Sequence, residues 1–384
     1  MRMPRLRMRR SGVALWLLVL GGAAAALARY IWGLGAVTNL SDRFPWGLWI
    51  GFDVMSGVAL AAGGFTIAAT VHIFKLERYH GLLRPAALTG FLGYLLVIAA
   101  LLIDLGRPWN IWHPLVMWNS HSVMFEVAWC VMLYTLVLAL EFGQVVLHRL
   151  RLWTLLRITR LALPPLVIAG VLLSTLHQSS LGSLFLIAPG KLHPLWYTPW
   201  LPALFFISAV AVGLSVVTLE AILAARAFRH PLELRQLVDL SRATIVVLSL
   251  YLGMKVIDLA VRGVWPHVLA SGVEDAMFLI ELGAGVALPL VLLSLNHFSR
   301  SPTGLAVTSA LVVGGVVLNR LNVAITGMLA GSRAAYVPAW TEVLITLAIV
   351  AGGLLVYRWI MEHLPIMDPH AAPEGPAARW SASP

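Results

Sequence analysis

Charged residues are scarce in this chain, and their scarcity decides the class of protein. Only 11% of the 384 residues are Asp, Glu, Lys or Arg, whereas 60% are hydrophobic. A soluble chain of this size cannot bury so much apolar surface. The composition therefore indicates an integral membrane protein. The formal net charge of +10 does not indicate nucleic-acid binding, because the basic residues cluster in alternate loops between apolar runs.

Cysteine is almost absent. Cys130 is the single cysteine, which excludes an intrachain disulfide and an iron–sulfur cluster held by this chain, since such a cluster takes about four thiolates. Electrons that pass through this protein must therefore come from a partner or travel on a bound small molecule.

Long apolar runs dominate what remains. A spanning helix needs roughly 20 mostly apolar residues. We predict an all-α integral membrane protein with about ten transmembrane helices, arranged as two four-helix bundles (spans two to five and six to nine) plus flanking helices. The predicted spans are residues 12–32, 46–74, 86–105, 122–147, 161–188, 200–225, 243–261, 275–295, 304–328 and 340–360.

The loops predict the orientation. Lys and Arg cluster before the first span and after the second, fourth and sixth spans. By the positive-inside rule, both termini are cytoplasmic in a multi-pass protein of the bacterial inner membrane. Residues 1–11 form a basic amino-terminal segment, 12–362 the transmembrane domain, and 363–384 a cytoplasmic, disordered tail rich in Pro, Ala and Ser. A cleaved signal peptide is the alternative interpretation of the first span.

Polar residues from neighbouring spans converge near the outer side. A helix rise of about 1.5 Å per residue gives similar depths to side chains of four spans. A quinone needs hydrogen-bond donors for its carbonyl oxygens and protons for its reduction, and histidine with a nearby carboxylate supplies both. The alternative is an Asp104–Arg107 ion pair with His177 bonded to a backbone carbonyl. The predicted quinone-binding residues are Asp53, Asp104, Arg107, His121, His177 and Gln178.

A second set of polar residues leads inward. Glu126 and Glu141 fall on one broad face of the fourth span, about 60° apart around the helix. Carboxylates, phenols and imidazoles arranged in such a line can form a proton relay. The alternative is that the innermost members reach lipid head groups. The predicted proton-transfer residues are His72, Tyr94, Glu126, Glu141 and Glu220.

Two further features of the spans bear on function. Lys255 and Asp258 are spaced to pair on one helix face. Together with the deep Arg320, we interpret them as contacts that fix helix packing; a second polar channel is the alternative. A haem needs two histidines at one depth on facing helices. His72 lies at the inner edge and His177 in the outer half, so we predict no haem; a pairing of His121 with His177 is the geometric alternative.

Several long motifs carry a resemblance to a known family. They are the segments FPWGLWIGFD at 44–53, DLGR at 104–107, NSHSVMFE at 119–126, LHQSSLGSL at 176–184, KLHPLW at 191–196 and PAWTE at 338–342. On these motifs the chain resembles the NrfD/polysulfide-reductase-type membrane subunits, and within that family most closely the HybB type found in periplasmic uptake nickel–iron hydrogenases. The resemblance runs from about the second span to the tenth.

The resemblance implies a ten-span subunit without haem or iron–sulfur cluster of its own. A periplasmic ferredoxin-like iron–sulfur subunit, linked to hydrogenase small and large subunits, would exchange electrons with menaquinone or ubiquinone through this chain, which alone has no hydrogen chemistry. By the same resemblance, His177, Glu126 and Glu220 match positions for quinone or proton handling, and Asp53 and Tyr94 match less closely.

Three other functions remain open from the sequence. The stretch 319–336 departs from the hydrogenase type and equally suits the membrane subunit of a sulfite-reduction-associated or polysulfide-reductase-like complex. A secondary transporter would use the buried polar residues for solute coupling, with helices broken at mid-depth. A passive membrane anchor would need no carboxylates inside the membrane.

Overall fold

The computed structural model describes residues 10–187, 190–228, 231–268, 270–332, 335–364 and 366. Within these residues, ten helices are long and apolar enough to cross a membrane, and no β-strand occurs, which confirms the predicted all-α membrane fold. We number them α1 to α10: Gly12–Trp32, Trp49–Ile73, Glu77–Asp104, Val123–Arg149, Trp153–Leu186, Leu201–Phe228, Leu234–Arg262, Val273–Ser294, Pro302–Ser332 and Trp340–His363. The predicted amino-terminal segment and tail lie largely outside the described residues.

The helices form the two predicted bundles and a flanking pair. In the first bundle, α3 packs on α2 and α4, and α5 packs on α4; in the second, α6 packs on α7 and α9, and α8 packs on α9. The bundles meet where α6 contacts α2 and α5, while α1 packs along α10, and α10 along α3. α3 and α5 begin more than two turns before their predicted spans, at Glu77 and Trp153, because basic and amphipathic residues continue the helix at the membrane edge.

The two ends of the bundles differ in composition. One end carries Trp109, Trp112, Trp118 and Trp200 in the segments that join the helices, and we call it the tryptophan-rich end. The opposite end, which we call the basic end, carries arginines at the limits of several helices. They are Arg78, Arg149, Arg151 and Arg226.

Three helices are irregular at depth, which the sequence did not predict. α2 has π-helical segments at Trp49–Ser56 and Ala69–Ile73, and it is interrupted at 61–62. α8 and α9 contain further π-helical segments, at Gly283–Ala287 and Asn322–Thr326. Such segments often mark functional sites. In α2 they contain Asp53 and His72, two of the predicted site residues.

Glycines allow two close helix crossings. A Cβ atom on Gly213 of α6 would lie 2.9 Å from the backbone of Ala62, at the interruption of α2. Between α8 and α9, a Cβ on Gly315 would lie 2.3 Å from the Cα of Gly285. No side chain fits in either gap, so small residues set the distance between these backbones.

The α8–α9 crossing predicts a marked difference between two adjacent glycines. Gly315→Val inserts a side chain against the Gly285 backbone, and we expect it to lower the free energy of unfolding by about 1–3 kcal/mol. Gly314→Val is the matched control, since a Cβ there has no atom within 4 Å. Thermal unfolding of the full chain in detergent measures both variants; equal melting temperatures would contradict the crossing.

Candidate functional site

A tyrosine and a histidine form a hydrogen-bonded pair inside the first bundle. Tyr94 Oη of α3 and His177 Nδ1 of α5 are 2.8 Å apart, and both side chains are fully buried. The ring of Tyr134 from α4 meets Tyr94 edge-on, with centroids 4.7 Å apart. Buried apolar side chains, among them Val97 and Val131, surround the group. Three helices thus bring two phenols and an imidazole together away from water.

Unpartnered polar atoms surround this pair. By the distance and angle limits of a hydrogen bond, four buried atoms of this group have no partner among the described residues: Tyr134 Oη, Ser174 Oγ, His177 Nε2 and Gln178 Oε1. Ser174 nevertheless lies close enough to both phenols to interact with them. Each unpartnered buried atom costs about 1–3 kcal/mol, and native proteins pair nearly all of them. Their concentration suits a polar guest such as water or a ligand carbonyl. We call Tyr94, Tyr134, Ser174, His177 and Gln178 the central cluster.

Gln178 ties the central cluster to α2. Its amide nitrogen donates to the carbonyl oxygen of Val58 at 3.0 Å. Val58 follows the π-helical segment that carries Asp53, so this hydrogen bond fixes α5 against the middle of α2. The HQSS segment therefore lies in the bundle interior, as the sequence predicted.

Asp53 belongs to a separate group nearer the tryptophan-rich end. Thr346 of α10 donates to Asp53 Oδ2 at 2.7 Å. Asp104, the last residue of α3, interacts electrostatically with both Asp53 and Arg29. Arg29 of α1 donates to the carbonyl oxygens of Ile103, at 2.6 Å, and Leu105, where a cation is favoured by the carboxyl end of a helix. We call Arg29, Asp53, Asp104 and Thr346 the rim cluster.

The prediction that His177 and Asp104 share one depth is wrong. Tyr94, the partner of His177, precedes Asp104 by ten residues on α3, which corresponds to about 15 Å of helix rise. Asp53 also faces α10, whereas Gln178 reaches α2 from α5. Four of the six predicted quinone residues therefore divide between the two clusters: His177 and Gln178 lie in the central cluster, and Asp53 and Asp104 in the rim cluster.

Three predicted residues are exposed at the tryptophan-rich end. Arg107 and His121 lie in the segment between α3 and α4, and Glu126 is exposed in the first turn of α4. Glu126 and Glu141 lie on the same helix, as predicted, but only Glu141 is partly buried. Neighbouring helices cover the deeper part of the face that carries Glu141, including Tyr134, but leave its first turn open.

Glu141 and His72 meet at a cavity of about 120 Å³ at the basic end. The carboxylate of Glu141 marks the side of the cavity that faces the central cluster. A Cβ atom on Gly170 would lie 3.8 Å from Glu141 Oε1 and 3.5 Å from the ring of Tyr134. The carboxylate of Glu141 and the ring of Tyr134 therefore both lie beside Gly170. Polar and charged residues line the cavity: His72, His80, Arg84, Glu141, Gln144, His148 and Arg160.

Glu220 of α6 lies apart from this cavity. Its Oε1 accepts hydrogen bonds from Thr89 of α3 at 2.8 Å and from Tyr357 of α10 at 2.7 Å. Its other oxygen is buried and has no partner in the described part of the chain. The carboxyl group thus joins three helices and keeps one oxygen available.

The second bundle holds its own polar network around Glu281 of α8. Trp196 donates to Glu281 at 2.9 Å, and Asn319 and Asn322 of α9 each donate at 2.8 Å. Arg320 donates to Ser208 Oγ at 2.9 Å. These contacts fix α6, α8 and α9 to one another and to the segment before α6.

The predicted Lys255–Asp258 pair is wrong. Asp258 pairs with Arg262, one turn further along α7, with an N–O distance of 2.5 Å. Lys255 Nζ instead donates to the carbonyl oxygen of Leu195 at 3.2 Å. Spacing i to i+4 brings the Asp258 and Arg262 side chains together. Lys255 still fixes helix packing, through a loop backbone rather than a helix neighbour.

One loop residue at the tryptophan-rich end has an altered pKa. Burial lowers the pKa of His193 from its ordinary value, and His267 lowers it further, while Glu274 and Asp275 oppose the change. The rings of His193 and His267 lie with centroids 5.8 Å apart. This segment closes the second bundle at that end.

Sequence reasoning missed several residues of these groups. Arg29 was detectable, because a charge well inside an apolar run is a signal of function or pairing. Thr346, Thr89 and Tyr357 gave no such signal, since hydroxyl-bearing residues are common in apolar helices. Only the fold shows that they bond Asp53 and Glu220.

The fold and these clusters define a polytopic, all-α integral membrane protein with a buried tyrosine–histidine site in its first bundle. The chain belongs to the NrfD family: the family model described as "Polysulphide reductase, NrfD" matches residues 36–330. This match confirms the resemblance drawn from the sequence motifs.

Relatives align over nearly the whole chain. A protein of Nitratidesulfovibrio vulgaris (strain Hildenborough) is 41% identical over 361 residues, 91% of this chain and 92% of the relative. The probable Ni/Fe-hydrogenase 2 b-type cytochrome subunit of Escherichia coli K12 is 33% identical over 89% of this chain and 88% of its own length. The integral membrane subunit of menaquinone reductase from N. vulgaris is 28% identical over 88% of this chain and 87% of its own length.

Proposed function

We propose that this chain is the quinone-reactive membrane subunit of a respiratory oxidoreductase. It would pass electrons between an iron–sulfur partner subunit and the quinone pool of the bacterial inner membrane. The central cluster carries the proposal, because its unpartnered polar atoms suit a quinone head group and its proton transfers. Family membership and the name of the menaquinone reductase relative support it.

The chain's own residues supply the proton chemistry. Reduction of a quinone to quinol takes two electrons and two protons. His177 Nε2 is the unpartnered nitrogen, while Nδ1 faces the Tyr94 hydroxyl. When Nε2 gives a proton to an acceptor, Nδ1 takes one from Tyr94, so the imidazole keeps its charge. An imidazole is suited to both steps near neutral pH. Gln178 would orient the head group.

Replacement protons would come from the basic end. Glu141 lies between the His72 cavity and Tyr134, which makes it the first carboxyl group beyond that cavity. Glu220, with its unpartnered oxygen, would serve a second branch. We propose that this end faces the cytoplasm, so that proton uptake there would couple the redox step to the proton gradient.

The tryptophan-rich end would receive the electron-transfer partner. Arg107, His121 and Glu126 are exposed there, beside exposed tryptophans. The rim cluster would hold α1, α3 and α10 beneath the docked subunit, and Asp53 and Asp104 would border the quinone's approach. The name of the E. coli relative favours a nickel–iron hydrogenase as the complex, and we propose that its small and large subunits lie on the periplasmic side.

We also propose that the chain binds no haem, although the E. coli relative is named a b-type cytochrome subunit. Gln178, the neighbour of His177, contacts Val58, and His72 lies 14 residues further along α2, at about 20 Å of helix rise. Two axial ligands must meet at one iron. His121, the alternative partner, is exposed at the tryptophan-rich end, whereas His177 is fully buried.

The purified chain should therefore show no Soret or α-band absorbance after reduction with dithionite. The same preparation analysed by pyridine haemochromogen assay is the quantitative check. Stoichiometric haem would overturn this part of the proposal. It would not decide whether the chain binds quinone, which the His177 variant tests.

His177→Gln in the assembled complex tests the quinone site. Removal of the proton-transferring imidazole should lower quinone reduction about a hundredfold or more, while dye reduction by the partner subunits stays unchanged. His297→Gln, at an exposed position near the basic end, is the matched control. Unchanged quinone reduction would favour a passive anchor, and loss of solute uptake into vesicles would favour a transporter.

Glu141→Gln tests the proton path in liposomes that hold the complex and a pH-sensitive dye. The amide cannot carry a proton, so we expect fewer protons taken up from the basic-end side per electron transferred. Glu77→Gln, at an exposed carboxylate, should leave that ratio unchanged. An unaltered ratio in Glu141→Gln would remove Glu141 from the path.

A further inference from the structure

We propose that the cavity at the basic end binds the phosphate head group of an anionic phospholipid. The cavity lies where α2, α3, α4 and α5 approach that end. Its position at the limits of membrane-spanning helices is where lipid head groups lie, and basic pockets between such helices recognise anionic lipids. The same cavity adjoins the proposed proton path through Glu141, but the proposed redox function assigns no role to a lipid, so lipid binding is tested without reference to turnover.

The mouth of the cavity is rich in basic groups. Arg84 on α3 and Arg160 on α5 line it from facing helices, together with His80 and His148. His80, His148 and Arg160 are exposed, and Arg84 is half-buried. Guanidinium groups bind phosphate oxygens through bidentate hydrogen bonds. Two arginines on different helices can therefore hold one phosphate between them.

The walls deeper in are apolar. Ala87, Phe142, Leu163 and Val167 line the cavity, and each lies further along its helix from the basic end than the basic residue on the same helix: Arg84, His148 or Arg160. An acyl chain descends from its phosphate into the membrane, so a phospholipid matches this order of polar mouth and apolar wall. An inorganic phosphate ion would match the mouth alone.

The carboxylate in the cavity does not oppose an anion at the mouth. Glu141 Oε1 lies beside Gly170, which follows Arg160 by ten residues on α5, or about 15 Å of helix rise. A phosphate held by Arg160 and Arg84 would therefore be separated from the carboxylate by the depth of the cavity. Water could still reach Glu141 at the deep end.

Lipid retention tests the proposal. The complex that contains the full chain is stripped with detergent, exposed to vesicles of phosphatidylcholine with a small fraction of phosphatidylglycerol, repurified, and its bound lipid measured by mass spectrometry. We expect the wild type to retain phosphatidylglycerol selectively. Arg84→Gln and Arg160→Gln should each lower retention about fivefold, the effect of one basic residue near an anionic lipid.

Arg157→Gln is the matched control, since Arg157 is exposed on α5 but does not line the cavity. Equal retention in the Arg160 and Arg157 variants, or equal retention of both lipids by the wild type, would overturn the proposal. Displacement of the lipid by excess inorganic phosphate would assign the mouth to free anions instead. The two wild-type measurements, lipid selectivity and displacement by phosphate, test the proposal even where a variant does not fold. None of the measurements requires enzyme turnover.

Discussion

The cost of an unpaired polar group away from water organises this structure. In a membrane-spanning bundle, water is not available to every donor and acceptor, and each helix must satisfy its polar side chains internally. The structure meets this demand with pairs between helices distant in sequence. Asp53 is bonded by Thr346, Glu220 by Thr89 and Tyr357, and Glu281 by three donors. The same bonds set the relative positions of the helices.

Departures from that rule are concentrated in one place. Of the six buried, unpartnered side-chain atoms in the described part of the chain, four belong to the central cluster. The bundles consequently differ in character. Around Glu281 the second bundle is almost fully bonded and suited to holding a fixed shape. Around His177 the first bundle has spare hydrogen-bonding capacity, which is what proton transfer to a guest molecule needs.

The sequence predicted the fold well and the site only in part. Apolar runs and loop charges gave all ten spans, because length and hydropathy are local properties. The HQSS segment was correctly placed inside a bundle, since buried polar groups are rare enough to be conspicuous. Depth was less predictable. It depends on which residue of a neighbouring helix each side chain meets, and His177 meets Tyr94, ten residues before Asp104 on α3.

The sequence also did not predict which neighbouring helix each face of a span contacts. Periodicity placed Glu126 and Glu141 on one face of α4, but which neighbours cover that face depends on the whole arrangement. The π-helical segments of α2 also rotate later residues by an amount that no local signal reported. Partners such as Thr346 lie some three hundred positions from the acids that they bond, so only the assembled bundle identifies them.

The pairing of α1 with α10 has a consequence for how the molecule is made. Asn39 bonds Glu342, 303 positions away, and Thr341 bonds the backbone of Val37. On a ribosome-bound chain, α1 enters the bilayer long before α10 exists. Until then the α10-facing side of α1 has no partner helix, although the Arg29 contact to α3 can already form. The contact between α1 and α10 can therefore form only after almost the whole chain has been synthesised.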